Sequence, residues 1–251
     1  MITVEPLDRI LVIRFDRPEK RNALTPAMLT SLVSNLDTAW SAHAIVLSGV
    51  GETFCAGFDL ALCQQDEAAL PALLEGLSHA VRALRGIPAP VVVSAHGAAI
   101  AGGCALLSGC DLVVTNRTAA LGYPVLRLGI SPAVAAPALN LSVGTGPARS
   151  RLLSGQLITG AEAHHMGLAH HLVDDAAQSE ARAIELAHEL IAKPRHALAY
   201  TKNFLNKVDD ALNPAQTPLT PHLDAALATS LSLTGTPEQR ERLAAFLAKT
   251  K

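Results

Sequence analysis

A chain of 251 residues, 49% of them apolar, is long enough to bury one large core or a core plus a small appendage. Its formal net charge of -2, with ten histidines counted as neutral, and the absence of any block of like charges exclude nucleic acid or a membrane surface as the main partner. Small molecules and further copies of the chain are the partners this balance leaves.

Glu5 and Asp8 occupy the stretch where an export signal would need a basic start and an apolar run, so a cytoplasmic location is expected. Cys55, Cys63, Cys104 and Cys110 form no Cys-x-x-Cys pair and sit among apolar or small residues, the usage of reduced core thiols. Residues 91–114 are the one stretch apolar enough to raise a membrane span. They carry His96, Asp111 and several glycines, and read instead as buried strand, turn, helix and strand.

In chain order, Ile10 to Phe15 reads as a strand, followed by a charged loop from Asp16 to Asn22. A helix starts at Thr25, an N-cap with Pro26 in the first helical position, and Leu29, Leu32, Val33, Leu36 and Trp40 recur on one face. Residues 44–49 and 91–96 are apolar runs without period-two alternation, as expected of strands covered on both faces. Between them Pro71 to Arg85 is helical. A short helix follows Gly102, and Asp111 to Val114 returns as a strand, so the order is βαβ-like and the fold class is α/β.

Past Lys193-Pro194 the patterns are helical only, about Arg195 to Val208, about Leu219 to Ser232, and Thr236 to the end. Thr236-Pro237-Glu238-Gln239 has capping-box spacing. Leu223, Leu227, Leu231, Leu243, Phe246 and Leu247 exceed what a free tail would expose, so this region is expected to pack on a neighbouring subunit. The division expected is a core over residues 1–194 and a helical oligomerisation region over 195–251.

Two segments carry the chemistry. Phe54-Cys55-Ala56-Gly57-Phe58-Asp59-Leu60 and Gly97 to Ala105 are each a sharp, side-chain-poor turn after an apolar run, where main chain can approach a ligand closely. Together they have the form of a hole for a carbonyl oxygen made of backbone amides. Where a proton-transfer carboxylate would stand beside it, the chain offers Ala105 and Val125.

Over nearly its whole length the sequence resembles the crotonase superfamily, the enoyl-CoA hydratase/isomerase family. Four segments in the family's order carry the resemblance: Arg17 to Leu24, Phe54 to Leu60, Gly97 to Asp111, and Leu152 to Gly155 with Ala161-Glu162-Ala163. The resemblance implies a spiral of ββα turns, a helical C-terminal trimerisation region giving a homotrimer or homohexamer, and an acyl-CoA thioester as ligand with no separate cofactor. It places the oxyanion donors at the amides of Phe58 and Gly102. Fixed amides of this kind are worth about 3–4 kcal/mol each where a thioester carbonyl gains charge. It also assigns Lys20, Arg21, Ala23, Leu24, Ala56, Asp59, Leu60, Ala98, Gly103, Tyr123 and Pro124 to the ligand's surroundings. Lys20 and Arg21 then face CoA phosphates or remain plainly solvated; Phe246 and Lys249 reach CoA across a subunit boundary.

The departures from the family pattern decide the chemistry. The two glutamates of the family's hydratases align with Ala105 and Val125, and a third acid used by some members aligns with Ala133. Losing a general acid or base forfeits ~10²–10⁴-fold in rate. The expectation is therefore an atypical isomerase, hydrolase or decarboxylase working through a thioester enolate, or a non-catalytic acyl-CoA carrier, sensor or partner protein. Phe58 is bulkier than the residue common there, and His96 stands where an Asn is usual. His96 reads as a base or as a hydrogen-bonded structural residue, Tyr123 as a proton carrier or a packing residue. His79 reads as reaching the acyl end or as an ordinary surface residue. Asp59 reads as structural. The pairs His164-His165 and His170-His171 lack the spacing of a metal set, and Gly97 to Gly103 lacks the lysine of a phosphate loop.

Overall fold

The computed structural model describes residues 1–212 and 219–249; the parts of the expected helical region at 213–218 and 250–251 lie outside them. The chain opens with strands β1 (Ile2–Leu7) and β2 (Ile10–Phe15), helix α1 (Pro26–Thr38) and strand β3 (Ala44–Gly49). Helices α2 (Leu60–Gln65) and α3 (Ala69–Gly86), strands β4 (Val91–Ser94) and β5 (Ala98–Ile100), helix α4 (Gly102–Leu107) and strands β6 (Leu112–Asn116) and β7 (Ala120–Gly122) follow. Then come α5 (Ala136–Val143), α6 (Thr145–Ser154), β8 (Leu157–Thr159), α7 (Gly160–His165), β9 (His171–Val173), α8 (Ala176–Ile191), α9 (Arg195–Leu212), α10 (Leu219–Leu231) and α11 (Pro237–Ala248).

The strands form two sheets. Six lie in the order β1-β2-β3-β4-β6-β9, antiparallel only between β1 and β2; β5, β7 and β8 form the second. Successive turns place one strand in each sheet before a helix, as in β4-β5-α4. The preceding turn does the same in shortened form, because after β3 residue Cys55 pairs in parallel with Ala99 of β5, and Phe58 pairs with Leu24. This repetition is the ββα spiral. One face of the six-stranded sheet packs Ile13, Phe15, Ile45, Leu47, Val91 and Val93 against α1 and α3, and the other packs Ile10, Val12, Val46 and Val92 against α8.

Local signals hold at the start of α1, where the Met28 amide donates to the Thr25 hydroxyl at 3.2 Å. Trp40 departs from the expected core face: α1 ends at Thr38, a 3-10 turn takes over at Ala39–Ser41, and the indole is 65% exposed. At α11 the Gln239 amide donates to the Thr236 hydroxyl, but the Gln239 side chain accepts from Gly235 N–H rather than from the cap residue itself. The apolar residues of the last two helices also differ from expectation. Leu223 and Leu243 are buried within the chain, and Leu227, Leu231, Phe246 and Leu247 pack on its own core. Among the described residues the exposed large apolar side chains of the tail are instead Tyr200, Phe204 and Leu205 on α9, and Leu233 after α10. That helix is pinned by Lys202, whose buried ammonium donates to Leu84 O, Ala89 O and Asp111 Oδ2.

Candidate active site

The first loop is held by Asn22, a buried residue in the left-handed region that Asn tolerates (φ 55°). Its amide donates to Val50 O and Thr53 O while its carbonyl accepts from Arg17 N–H. The Arg17 guanidinium then donates to Ala23 O at 2.9 Å and Asp59 Oδ2 at 3.1 Å, and Asp59 Oδ1 caps α2 by accepting from Leu62 N–H. Asp59 is thus engaged on both oxygens by its own chain.

Between these anchors lies Phe58. The carbonyl of Gly57 accepts from Leu24 N–H at 2.7 Å, and the Asp59 amide donates to Leu24 O at 2.9 Å. Because a peptide unit is planar and trans, an anchored Gly57 C=O turns the Phe58 N–H the opposite way, away from residue 24. Gly57 is required by its φ of 94° and by its neighbours: a methyl there would meet Ile100 O at 3.1 Å.

Gly102 occupies the same place one turn later. Cys55 pairs with Ala99, and Phe58 and Gly102 each stand three residues beyond their member of that pair. The carbonyl of Ala101 accepts from Ala105 N–H at 2.9 Å, along α4, so the Gly102 N–H points back out of the helix start. Ala101 bears strain for this geometry, with φ 51° and ψ -110° in a residue that has a Cβ. Among the described residues, neither the Phe58 nor the Gly102 amide donates to a backbone carbonyl. A methyl on Gly102 would lie 2.7 Å from Phe58 Cε1, so the Phe58 ring itself excludes any side chain at 102.

Both residues line a cavity of about 530 Å³. It brings together most of the expected positions: Lys20, Arg21, Ala23, Ala56, Asp59, Leu60, Ala98, Tyr123 and Pro124, with Ala105 and Val125 in the wall. Four expected positions do not line it, Lys249 and three others. Leu24 is fully buried and contributes through its backbone, Gly103 is pressed against Cys55, and Ala133 starts a 3-10 turn whose next residues, Val134 and Ala135, line the cavity instead. Leu74 and Leu77 of α3, Ile130, Arg127, Phe246 and Leu247 are also part of the wall. Leu74 and Leu77 bore no signal beyond helical periodicity, whereas Arg127 was legible as a cation in an otherwise apolar stretch. Phe246 lines the cavity of its own chain.

The ionisable side chains lining the cavity, among the described residues, are Lys20, Arg21, Asp59, Tyr123 and Arg127. The Tyr123 hydroxyl donates to Cys104 O at 3.4 Å, and burial pushes its pKa well above the usual phenol range. Burial likewise pushes the Cys55 thiol up to about 12 and that of Cys104 to about 11, so both stay protonated and neither is a nucleophile near neutrality. His79 is exposed on α3.

His96 belongs elsewhere. It lines a second, more open cleft of about 690 Å³ with Arg14, Glu52, Asp175 and Glu180. Its Nε2 lies 3.1 Å from Gly51 O and its Nδ1 3.2 Å from Ser94 Oγ, so both ring nitrogens are occupied by structure. A role for His96 in moving protons within the first cavity is thereby set aside. Among the described residues no His, Cys, Asp and Glu side chains group so as to hold a metal ion, and no helix is long and apolar enough to cross a membrane.

The sequence model of the enoyl-CoA hydratase/isomerase family matches residues 7–251. The 2,3-dehydroadipyl-CoA hydratase of Escherichia coli is 31% identical over 260 residues, covering 99% of this chain and 96% of its own. The 4-chlorobenzoyl coenzyme A dehalogenase-2 of an Arthrobacter species is 29% identical over 262 residues, covering 99% and 91%. Among solved structures, the enoyl-CoA hydratase of Bacillus halodurans superposes with a TM-score of 0.84 at 26% identity, covering 97% of this chain and 99% of its own. An enoyl-CoA hydratase/isomerase from Xanthobacter autotrophicus gives 0.85 at 26% identity, covering 98% and 96%. A spiral of ββα turns, two unspent amides at matching places in successive turns and these likenesses agree: the chain belongs to the enoyl-CoA hydratase/isomerase family, within the crotonase superfamily.

Proposed function

We propose that the cavity binds an acyl-CoA thioester whose carbonyl oxygen accepts from the amides of Phe58 and Gly102, and that it works through the enolate of that ester. The observation carrying this reading is the pair of amides left without acceptors, among the described residues, at the wall of a largely apolar cavity. Buried backbone donors are nearly always paired, so two such groups in one place await an acceptor that a ligand brings. Fixed donors stabilise charge that develops on oxygen without reorganising, which is what enolate formation needs.

In this reading Ala105 and Val125 stand where the family's hydratases carry their acids, and hydration by that route is not supported. Asp59, the one carboxylate in the described lining, is engaged by Arg17 and by the cap of α2. Isomerisation, hydrolysis or decarboxylation fits better; decarboxylation requires the oxyanion hole more than a base, because the electron pair of the breaking C–C bond supplies the enolate. Lys20 and Arg21 face the CoA phosphates, and the assembly is a homotrimer or homohexamer. The same missing acids favour a second reading, a non-catalytic acyl-CoA carrier or sensor. A panel of enoyl-, dienoyl-, malonyl- and methylmalonyl-CoA separates them. Turnover above background supports the enzyme, micromolar binding without product supports the carrier, and no binding removes the thioester reading.

A further inference from the structure

A third cation lines the cavity beside Lys20 and Arg21. Arg127 lies in the 3-10 turn Leu126–Leu128, two residues past Val125, and its guanidinium carbon stands 5.0 Å from the centre of the Phe246 ring on α11. Among the described residues no carboxylate pairs with Arg127, as is also true of Arg21, Arg149, Arg151 and Arg195, but of these only Arg127 and Arg21 line the cavity. Asp59, the carboxylate of the same cavity, is already taken by Arg17. The nearest residues in sequence that share the wall, Val125, Leu128 and Ile130, are hydrocarbon.

A guanidinium held against an aromatic ring by a cation–π contact still has N–H groups free for an anion, and its fork matches a carboxylate in two parallel hydrogen bonds. Arg127 is exposed at the edge of the apolar pocket and has no acid of its own among the described residues, so it can meet an anion that the ligand supplies. The thioester reading proposed above leaves Lys20 and Arg21, on the first loop, for CoA phosphates. Arg127 comes from a different segment of the lining, the one carrying Tyr123, Pro124 and Val125. Resting on that reading, we infer that the acyl group ends in a carboxylate, so that the ligand class is an ω-carboxyacyl-CoA and Arg127 is the residue that selects it.

Calorimetric titration of the full chain with length-matched pairs tests this: succinyl- against butyryl-CoA, glutaryl- against valeryl-CoA, and adipyl- against hexanoyl-CoA. At one length at least, the carboxylated ligand should bind more tightly by about tenfold or more, as a charge-assisted hydrogen-bonded pair predicts. In Arg127→Gln the two members of that pair should come within about twofold of each other, and Arg127→Lys should retain part of the preference. Equal affinities in the unmodified protein at every length overturn the inference. So does an Arg127→Gln variant that weakens both members in equal proportion, since Arg127 would then be reading CoA itself. If none of the six esters binds, the thioester reading falls first, and that result is distinct from binding without preference.

Discussion

The two concavities of this molecule differ in what their polar groups are already doing. The cleft between β2 and α8 is the larger, at about 690 Å³, and is lined by charged and polar side chains, most of them, though not Glu52, engaged by groups of the chain. Arg14 donates to Glu180 through Nε and Nη2 and to Glu5 through Nη1, His96 is tied on both nitrogens, and Asp175 caps α8. The cavity beneath α11 is smaller, at about 530 Å³, and largely hydrocarbon, yet it holds two amides with no acceptor among the described residues. Unspent donors, and not size or charge, mark the place where a ligand is needed, because burying them unpaired costs roughly 1–3 kcal/mol apiece.

The largest effect expected from disturbing this contrast is at Gly102. Proline fits the first position of a helix but removes the N–H, and in a Phe58→Ala background it no longer meets the ring. Phe58→Ala/Gly102→Pro should turn over thioesters about 10²–10³-fold more slowly than Phe58→Ala alone, with circular dichroism unchanged. Equal rates would mean that the carbonyl lies elsewhere. Next, Ala105→Glu/Val125→Glu places acids in the wall and should create crotonyl-CoA hydration about 10²-fold or more above the parent, on the order of the usual general acid–base contribution, read as loss of the enoyl ultraviolet absorbance. No gain would place those positions outside reach of the bound carbonyl.

The paired cleft should respond in stability and not in binding. Arg14→Met leaves Glu180 half-buried without its partner and should cost about 1–3 kcal/mol in denaturant unfolding, while thioester affinity stays as it was. A change in affinity without loss of stability would reverse the roles of the two concavities. The pH dependence follows from Glu180, whose carboxyl is raised by burial but brought below its ordinary range overall by the Arg14 hydrogen bonds and charge. A depressed folded pKa gives stability that is present above the unfolded carboxylate range and lost as pH falls through the folded value. Acid unfolding below about pH 4.3 should therefore be steeper in the parent than in Glu180→Gln. The smallest effect is at the thiols. Cys55 and Cys104 should resist alkylation at pH 8 in the folded protein and react on unfolding, since burial holds both protonated.

Much of the fold was readable wherever a signal was local. Thr25-Pro26 announced α1, and the apolar runs at 44–49 and 91–96 announced β3 and β4, although the latter stops at Ser94. Strands β5, β7, β8 and β9 left no trace because three residues cannot display a period; pairing with neighbouring turns is what makes them strands. Trp40 was misplaced because helical periodicity was carried past Thr38, where the helix ends. The tail misled in the opposite direction. Its apolar residues were rightly read as covered, but by α3, the 3-10 turn at Ala133–Ala135 and the cavity wall of the same chain.

The residues alone determined that two small-residue turns follow buried strands, that both present backbone, and that Ala105 and Val125 bring no acid to the wall between them. These are properties of side chains, or of their lack, and they survive any arrangement of the chain. Only the tertiary structure decided that Phe58 and Gly102 stand at equivalent places in adjacent turns, that His96 faces the other cleft, and that Arg127 meets Phe246. Such proximities arise from the parallel pairing of Cys55 with Ala99 and from the docking of α11, contacts between residues far apart in sequence that no local pattern encodes.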